Sequence, residues 1–174
     1  MKKLLFFSLL MVFNLPLVGQ QVHQQGTVGV DFSISRTGVG VLGGVAYTNN
    51  FSDQGFIRLR ALGEWGRLYN FKYAQYGADV LAYYSPFYIS DFFQFNLAGG
   101  VTGGYERVSG ITKEKAANIG FQFGFKGGAE LEAFLGDQLS FFVNAQQAYM
   151  LKKSLGRNYY EVGIGIRIFL NNYY

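Results

Sequence analysis

The sequence predicts an all-β fold: a closed antiparallel transmembrane β-barrel of about eight strands. Three observations predict it. The first is a long alternation with period two over residues 119–135. Ile119, Phe121, Phe123, Phe125, Gly127, Ala129, Leu131, Ala133 and Leu135 share one parity, and Gly120, Gln122, Gly124, Lys126, Gly128, Glu130, Glu132 and Phe134 the other. Successive side chains of a strand point to opposite faces, so one face is aromatic and aliphatic and the other holds a lysine and two carboxylates. Strands of soluble sheets usually run about five or six residues, whereas about 9–11 tilted residues cross a bilayer. The apolar face then meets lipid, because the opposite phase would set Lys126 against hydrocarbon at a cost of about 2–4 kcal/mol near the midplane. The second observation is composition: 18 Phe, 13 Tyr and 24 Gly against only 2 Pro, which suits paired, curving strands better than disorder. The third is that no stretch beyond the first twenty or so residues is apolar and long enough for a membrane helix.

The start of the chain reads as a secretory signal at 1–19. Lys2 and Lys3 form a positive end, Leu4 to Leu17 are mostly apolar, and Gly19 is a small residue before a cleavage at Gln20. Asn14 and Pro16 interrupt the apolar run and argue against a permanent anchor. Residues 20–26 form a polar periplasmic lead-in, and 27–174 the barrel. Lys2 and Lys3 supply two units of the formal net charge of +4, so the chain beyond them is close to neutral. It has no Lys/Arg-rich run, and no nucleic-acid contact is expected. With no cysteine, an exported domain must be held by its own hydrogen-bond network, which a closed barrel supplies without free edges.

Taken in order, strand one runs from Thr27 to Arg36, with Val28, Val30, Phe32 and Ile34 opposite Gly29, Asp31, Ser33 and Ser35. Thr37-Gly38 turns into strand two, Val39 to Thr48, whose alternation is weak because Gly and Val fill both parities. Asn49 to Gly55 reads as a connection. Strand three, Phe56 to Arg67, points Ile57, Leu59, Ala61 and Trp65 outward and Arg58, Arg60, Leu62 and Glu64 inward. Strand four, Tyr73 to Tyr84, points Asp79 inward and is expected to end at Ser85-Pro86, since proline cannot donate to a ladder. Strand five spans Phe93 to Glu106, and the longest loop follows, Arg107 to Ala117, with Lys113, Glu114 and Lys115. Strand six is the opening segment, and Gly136-Asp137 turns into strand seven, where Phe142, Asn144 and Gln146 face inward. A basic loop with Lys152, Lys153 and Arg157 leads to strand eight, Tyr159 to Leu170. An even strand count puts both termini on one side, the periplasmic one for a barrel in the cell outer membrane, with long loops outside and short turns inside.

Aromatic residues gather at the strand ends. Tyr47, Phe51, Phe56, Tyr84, Phe87, Tyr88, Phe92 and Phe93 are expected in an inner girdle, and Tyr69, Phe71, Tyr73, Tyr105, Tyr149 and Tyr159 in an outer one. Outward Gly63, Gly99, Gly103 and Gly127 should leave a shallow dent in the lipid face, either a consequence of strand curvature or a place for a partner subunit. The inward charges form the main polar constellation: Asp31, Arg58, Arg60, Glu64, Asp79, Lys126, Glu130, Glu132, Glu161 and Arg167. An eight-stranded barrel is just wide enough to hold its own side chains, so these read as a structural lumen ion network rather than a selectivity filter or an acid/base pair.

No catalytic, cofactor-binding or metal site is expected. The only histidine, His23, lies in the lead-in, away from any place where a general base could act. Zinc sites of Cys and His lack ligands. Gly38, Gly40 and Gly43 match a dinucleotide fingerprint by letter, but that motif must open a helix and here it enters a strand. The scaffold resembles barrel enzymes of the lipid A deacylase, palmitoyltransferase and omptin protease types, all of which use a histidine at the outer rim.

Several glycine-rich strand phrases recur in order. Gly99-Gly100-Val101 runs into Gly104-Tyr105-Glu106, Gly127-Gly128-Ala129 leads to Glu130 and Glu132, then come Val143-Asn144-Ala145 and Gly163-Ile164-Gly165-Ile166-Arg167. From about Gly29 onward, this pattern resembles the TraO-like family of conjugal transfer proteins from Bacteroides-type mobile elements. The resemblance implies a non-enzymatic accessory envelope component of a conjugative DNA-transfer apparatus, similar to type IV secretion, and carries over no catalytic residue. The alternative is a general OmpX/OmpA-like barrel for envelope stability or surface binding through its outer loops. Glu161, Gly163, Ile166 and Ile168 resemble the assembly signal of outer-membrane barrels, though the terminal aromatics, Tyr173-Tyr174, are displaced past Asn171 and Asn172. Expected partners are outer-membrane lipid, the barrel assembly machinery and other envelope or transfer-apparatus proteins.

Overall fold

Each strand pairs antiparallel with the next, and β1 closes the sheet onto β8. The computed structural model describes residues 25–68, 71–90, 92–109, 120–151 and 157–170. Among them are β1 (Val28–Thr37), β2 (Gly40–Ser52), β3 (Gly55–Leu68), β4 (Phe71–Ser90), β5 (Phe93–Ser109), β6 (Phe121–Phe134), β7 (Leu139–Met150) and β8 (Asn158–Phe169). They form one closed barrel in sequence order. The seam runs in register from Gly29↔Phe169 to Thr37↔Glu161, and Leu170 N–H donates to Val28 C=O at 2.9 Å. Closure leaves no unpaired edge, which a spanning sheet requires. Residues 1–19, expected as a signal, and His23, Ile119, Lys113 to Lys115, Lys152, Lys153 and Asn171 to Tyr174 lie outside the described residues.

The alternation sorts side chains as the parity of each strand dictates. On β6 the odd-numbered phenylalanines Phe121, Phe123 and Phe125 are exposed, while Gln122, Lys126, Glu130 and Glu132 are buried in the lumen. On β8, Tyr160, Val162, Ile164, Ile166 and Ile168 are exposed and Glu161 and Arg167 are buried. The arrangement is the reverse of a soluble barrel, with apolar surface outside and charge inside. The mixed parity of β2 is resolved by its neighbours: Asp31↔Ala46 and Ser35↔Leu42 pair across to β1. That register turns Leu42, Ala46, Thr48 and Asn50 inward and Val41, Val45, Tyr47 and Phe51 outward.

Four expectations are corrected. β5 runs on to Ser109, so Arg107 belongs to the paired strand rather than to the loop after it. β4 does not stop at Ser85-Pro86 but continues to Ser90, with a register shift between Tyr84 and Phe87. Pro86 sits in that irregularity, where the ladder asks no donor of it. Asn49 to Gly55 is mostly paired strand: β2 runs to Ser52, and only Asp53 and Gln54 separate it from β3. The girdles also lose members to the lumen. Phe56 and Tyr73 are buried, with Phe56 stacked on Tyr83 at 4.4 Å between ring centroids, and the half-buried Tyr159 reaches inward to Glu64. Tyr69 and the side chains of Phe71 and Tyr88 lie outside the described residues.

Tyr47, Phe51, Tyr84, Phe87 and Phe93 do ring the end where β1 starts and β8 stops, the terminal end, and Tyr105 and Tyr149 are exposed near the other, the loop end. Trp65, Tyr76, Phe121 and Tyr160 join the latter. At the terminal end, Gly136 has φ 146° in the turn from β6 to β7, a conformation open to glycine at little cost.

Candidate functional site

The lumen is the polar centre of the molecule, and all ten charged groups that the sequence assigns to it are buried there. They stack in tiers because each strand contributes charges at a different height. Nearest the terminal end, Arg58 and Arg167 face Asp31, Glu130 and Glu132. Arg58 forms a two-pronged pair with Glu130, Nη1 to Oε2 at 2.7 Å and Nη2 to Oε1 at 2.9 Å. Its Nε lies 2.7 Å from Asp31 Oδ2, without the alignment of a hydrogen bond. Arg167 donates to Asp31 from Nε at 2.9 Å and from Nη2 at 3.2 Å, and from Nη1 to both oxygens of Glu132 at 2.8 and 2.7 Å.

Two guanidiniums thus serve three carboxylates, and neutral donors supply the balance. Thr48 donates to Asp31 at 3.0 Å, and Ser140 donates to Glu132. The guanidiniums also lie against aromatic faces: Arg58 over Tyr83 at 4.4 Å and Phe142 at 4.8 Å, Arg167 over Phe56 at 4.7 Å. Such contacts favour a cation most where water is excluded. Small residues on β8 make room for the rings, since a Cβ on Gly165 would collide with Phe142.

The middle tier is balanced in charge. Arg60 pairs with Glu161 through Nη1 to Oε1 at 2.7 Å and Nη2 to Oε2 at 2.9 Å, and with Asp79 through Nε at 3.1 Å. Lys126 Nζ bridges the same two carboxylates, 3.0 Å from Asp79 and 2.5 Å from Glu161. Ser35 donates to Glu161 at 2.8 Å and Thr102 to Asp79 at 2.5 Å.

Nearest the loop end, Glu64 accepts from Thr37 and from Tyr159, the latter at 2.9 Å. Gln122 donates to Glu106. Glu106 is expected from the sequence at the end of strand five and not in the network. Its parity with Thr102 and its fully buried carboxylate place it there.

Counted with its hydroxyl and amide donors, the network reaches all eight strands. Arg58 on β3 meets Glu130 on β6, and Arg60 on β3 meets Glu161 on β8. The chemistry of such an arrangement is cohesion. Every oxygen of Glu130 and Glu132 accepts a hydrogen bond from Arg58, Arg167, Ser140 or Asn96. A cavity lined by Leu42, Leu62, Thr102, Lys126 and Tyr159 measures about 10 Å³, room for about one water molecule. Among the described residues no His, Cys, Asp and Glu group is arranged to hold a metal ion.

Glu161 and Gly163 of the assembly-signal pattern face the lumen, and Ile166 and Ile168 face out. On the lipid side, the expected dent survives at Gly99, where a Cβ would touch nothing within 4 Å. It is absent at Gly63, which the Trp65 ring covers.

No protein-family model and no curated protein matches this chain. Solved structures do. The N-terminal β-barrel domain of Pseudomonas aeruginosa OprF aligns with TM-score 0.59 and 12% identity over 84% of this chain and 98% of that one. Neisserial surface protein A aligns with TM-score 0.61 and 11% identity over 82% and 95%. The outer membrane protein OprG from Pseudomonas aeruginosa aligns with TM-score 0.58 and 14% identity over 87% and 99%. The chain therefore has the fold of the small eight-stranded outer-membrane β-barrels.

Proposed function

We propose that the protein is a non-enzymatic barrel of the cell outer membrane, with both termini in the periplasm, whose lumen is a structural core. Its function then lies at the lipid face and in the outer loops: a general OmpX/OmpA-like role in envelope stability or surface binding. One observation carries this reading. Ion pairs cross the interior from wall to wall, Arg58 to Glu130, Arg60 and Lys126 to Glu161 and Arg167 to Glu132, and every oxygen of the Glu130/Glu132 pair accepts a hydrogen bond. Deletion of the gene tests it. The expected result is a detergent-sensitive or leaky envelope, and an unaltered envelope would reject the stability role.

A second reading has its own support in the ordered phrases from Gly99 to Glu106, Gly127 to Glu132 and Gly163 to Arg167, which resemble the TraO-like conjugal transfer family. In that reading the barrel is an accessory envelope component of a conjugative DNA-transfer apparatus and docks other transfer proteins. Deleting the gene from its element should then lower transfer frequency without harming growth. Unchanged transfer would reject it.

A further inference from the structure

Exposed charge is divided between the two ends of the barrel. Among the described residues, the exposed basic groups are Arg36, Arg67, Lys72, Arg107 and Arg157, and all lie at the loop end. The exposed acidic groups are Asp53 and Asp137, both in turns at the terminal end. None of the five basic groups forms an ion pair with a described residue, although every described lumen cation does.

Three of the five are neighbours on adjacent strands. Arg67 of β3 is the direct cross-strand partner of Lys72 of β4. Lys72 pairs with Ser109 of β5, and Arg107 lies two residues along that strand on the same outward face. Like charges directly opposite one another destabilise a strand pair. Here two cations oppose each other and a third lies on the diagonal, with no described acid on that face. The surface below them is aromatic. Trp65 and Tyr76 are exposed, joined by a Trp65 Nε1 to Tyr76 hydroxyl hydrogen bond of 3.2 Å, and Tyr76 pairs across to the exposed Tyr105. Such aromatic rows sit at the level of lipid headgroups. The cations are therefore one step further from the midplane, on the lipid-facing side, where headgroup phosphates lie.

We propose that Arg67, Lys72 and Arg107 form a site on the lipid-facing wall for the phosphate groups of a phosphorylated glycolipid in the outer leaflet. An anion between Arg67 and Lys72 turns a repulsive cross-strand pair into a clamp, and a guanidinium suits two-pronged contact with phosphate. The acidic turns at the opposite end give that leaflet no equivalent site. The proposal rests on the outer-membrane reading above, which fixes the loop end as the outer one.

The test uses the full chain purified in zwitterionic detergent micelles. Diphosphoryl lipid A, the same lipid after dephosphorylation, and inorganic phosphate are titrated separately, and binding is followed by native mass spectrometry. The expected result is that diphosphoryl lipid A binds and the other two do not. A basic residue at an anionic membrane surface is worth about five-fold in affinity, so the triple variant Arg67→Gln, Lys72→Gln, Arg107→Gln should bind on the order of 100-fold more weakly.

Heat-modifiable electrophoretic mobility reports whether the variant is folded. If it is not, the single variants are compared, each expected to lose about five-fold. Equal binding by wild type and folded variants would overturn the site, as would equal binding of the dephosphorylated lipid. Binding of inorganic phosphate alone would show a free-anion site instead and also overturn it. Fractionation of wild-type cells is read separately. A chain found outside the outer membrane would reject the localisation, whatever the micelle titration shows.

Discussion

Replacing Lys126 with leucine isolates what the lumen charges do. Lys126 is 4% exposed and its ammonium lies 3.0 Å from Asp79 and 2.5 Å from Glu161. Leucine removes the ammonium and leaves Arg60 alone between two buried carboxylates. The balanced tier then carries an uncompensated negative charge beside a cavity with room for about one water. Breaking a buried pair by deleting one partner costs about 3–5 kcal/mol, and that is the expected loss. The neighbouring Phe125 is the control. It is 61% exposed on the lipid face, and Phe125→Leu exchanges one apolar group for another, at a cost below about 1.5 kcal/mol.

A second substitution tests the cause. In Lys126→Leu combined with Glu161→Gln, Arg60 faces only Asp79 and charge balance returns. Ser35 and Arg60 can still donate to the amide oxygen. The double variant should recover more than half of the stability lost by Lys126→Leu, a coupling that the double-mutant cycle reads directly. Urea unfolding in detergent micelles, followed by heat-modifiable mobility, supplies the midpoints. Equal losses for Lys126→Leu and Phe125→Leu, or no recovery in the double variant, would refute the reasoning and show that water already screens the tier.

Three further outcomes follow from the same geometry. Purified barrel in planar bilayers should show no steady porin-like conductance, and stable open-channel currents would mean the tiers part to form a pore. An epitope inserted at Gly110 should be reachable on intact cells and one at Gly136 should not, because Gly136 lies in the turn beside the terminal strand ends. The reverse result would invert the orientation. Gly165→Val should destabilise by about 1–3 kcal/mol, since a Cβ there meets the Phe142 ring and the Phe32 carbonyl, and a urea midpoint equal to wild type would show that the ring has room to move.

The fold was legible wherever the two faces of a strand differ in chemistry. Lys126, Glu130 and Glu132 against Phe121, Phe123 and Phe125 leave one consistent phase for β6, and Glu161 and Arg167 do the same for β8. β2 was not legible alone, because Gly and Val suit either face, and only pairing with β1 and β3 decides it. Position along a strand misled where parity would have served. Phe56 and Tyr73 stand at strand ends and read as girdle residues, yet Phe56 shares its parity with Arg58 and Arg60, and Tyr73 with Gln75 and Asp79. The extension of β4 through Pro86 was hidden because a bulge absorbs the missing donor, and nothing local announces a bulge.

Which charges meet was beyond the reach of parity. A period of two gives the face of a side chain but not its height, and height depends on how each strand is staggered against the next. Arg58 therefore shares a face with every lumen carboxylate, while the stagger brings Glu130 to it from three strands away. That dependence also runs the other way. Lipid is as apolar as the outer wall, so burying Phe123 or Ile164 in lipid does little to choose one strand register over another. A one-residue slip does exchange the two faces. Slipping β6 would carry Lys126 from Asp79 and Glu161 into hydrocarbon, at about 2–4 kcal/mol for that residue alone, and would break the pairs of Glu130 and Glu132 with Arg58 and Arg167 as well. Buried ion pairs are weak evidence of net stabilisation. In this barrel their energetic weight falls on register, because the correctly staggered closure is the one that brings every lumen guanidinium and the ammonium to a carboxylate.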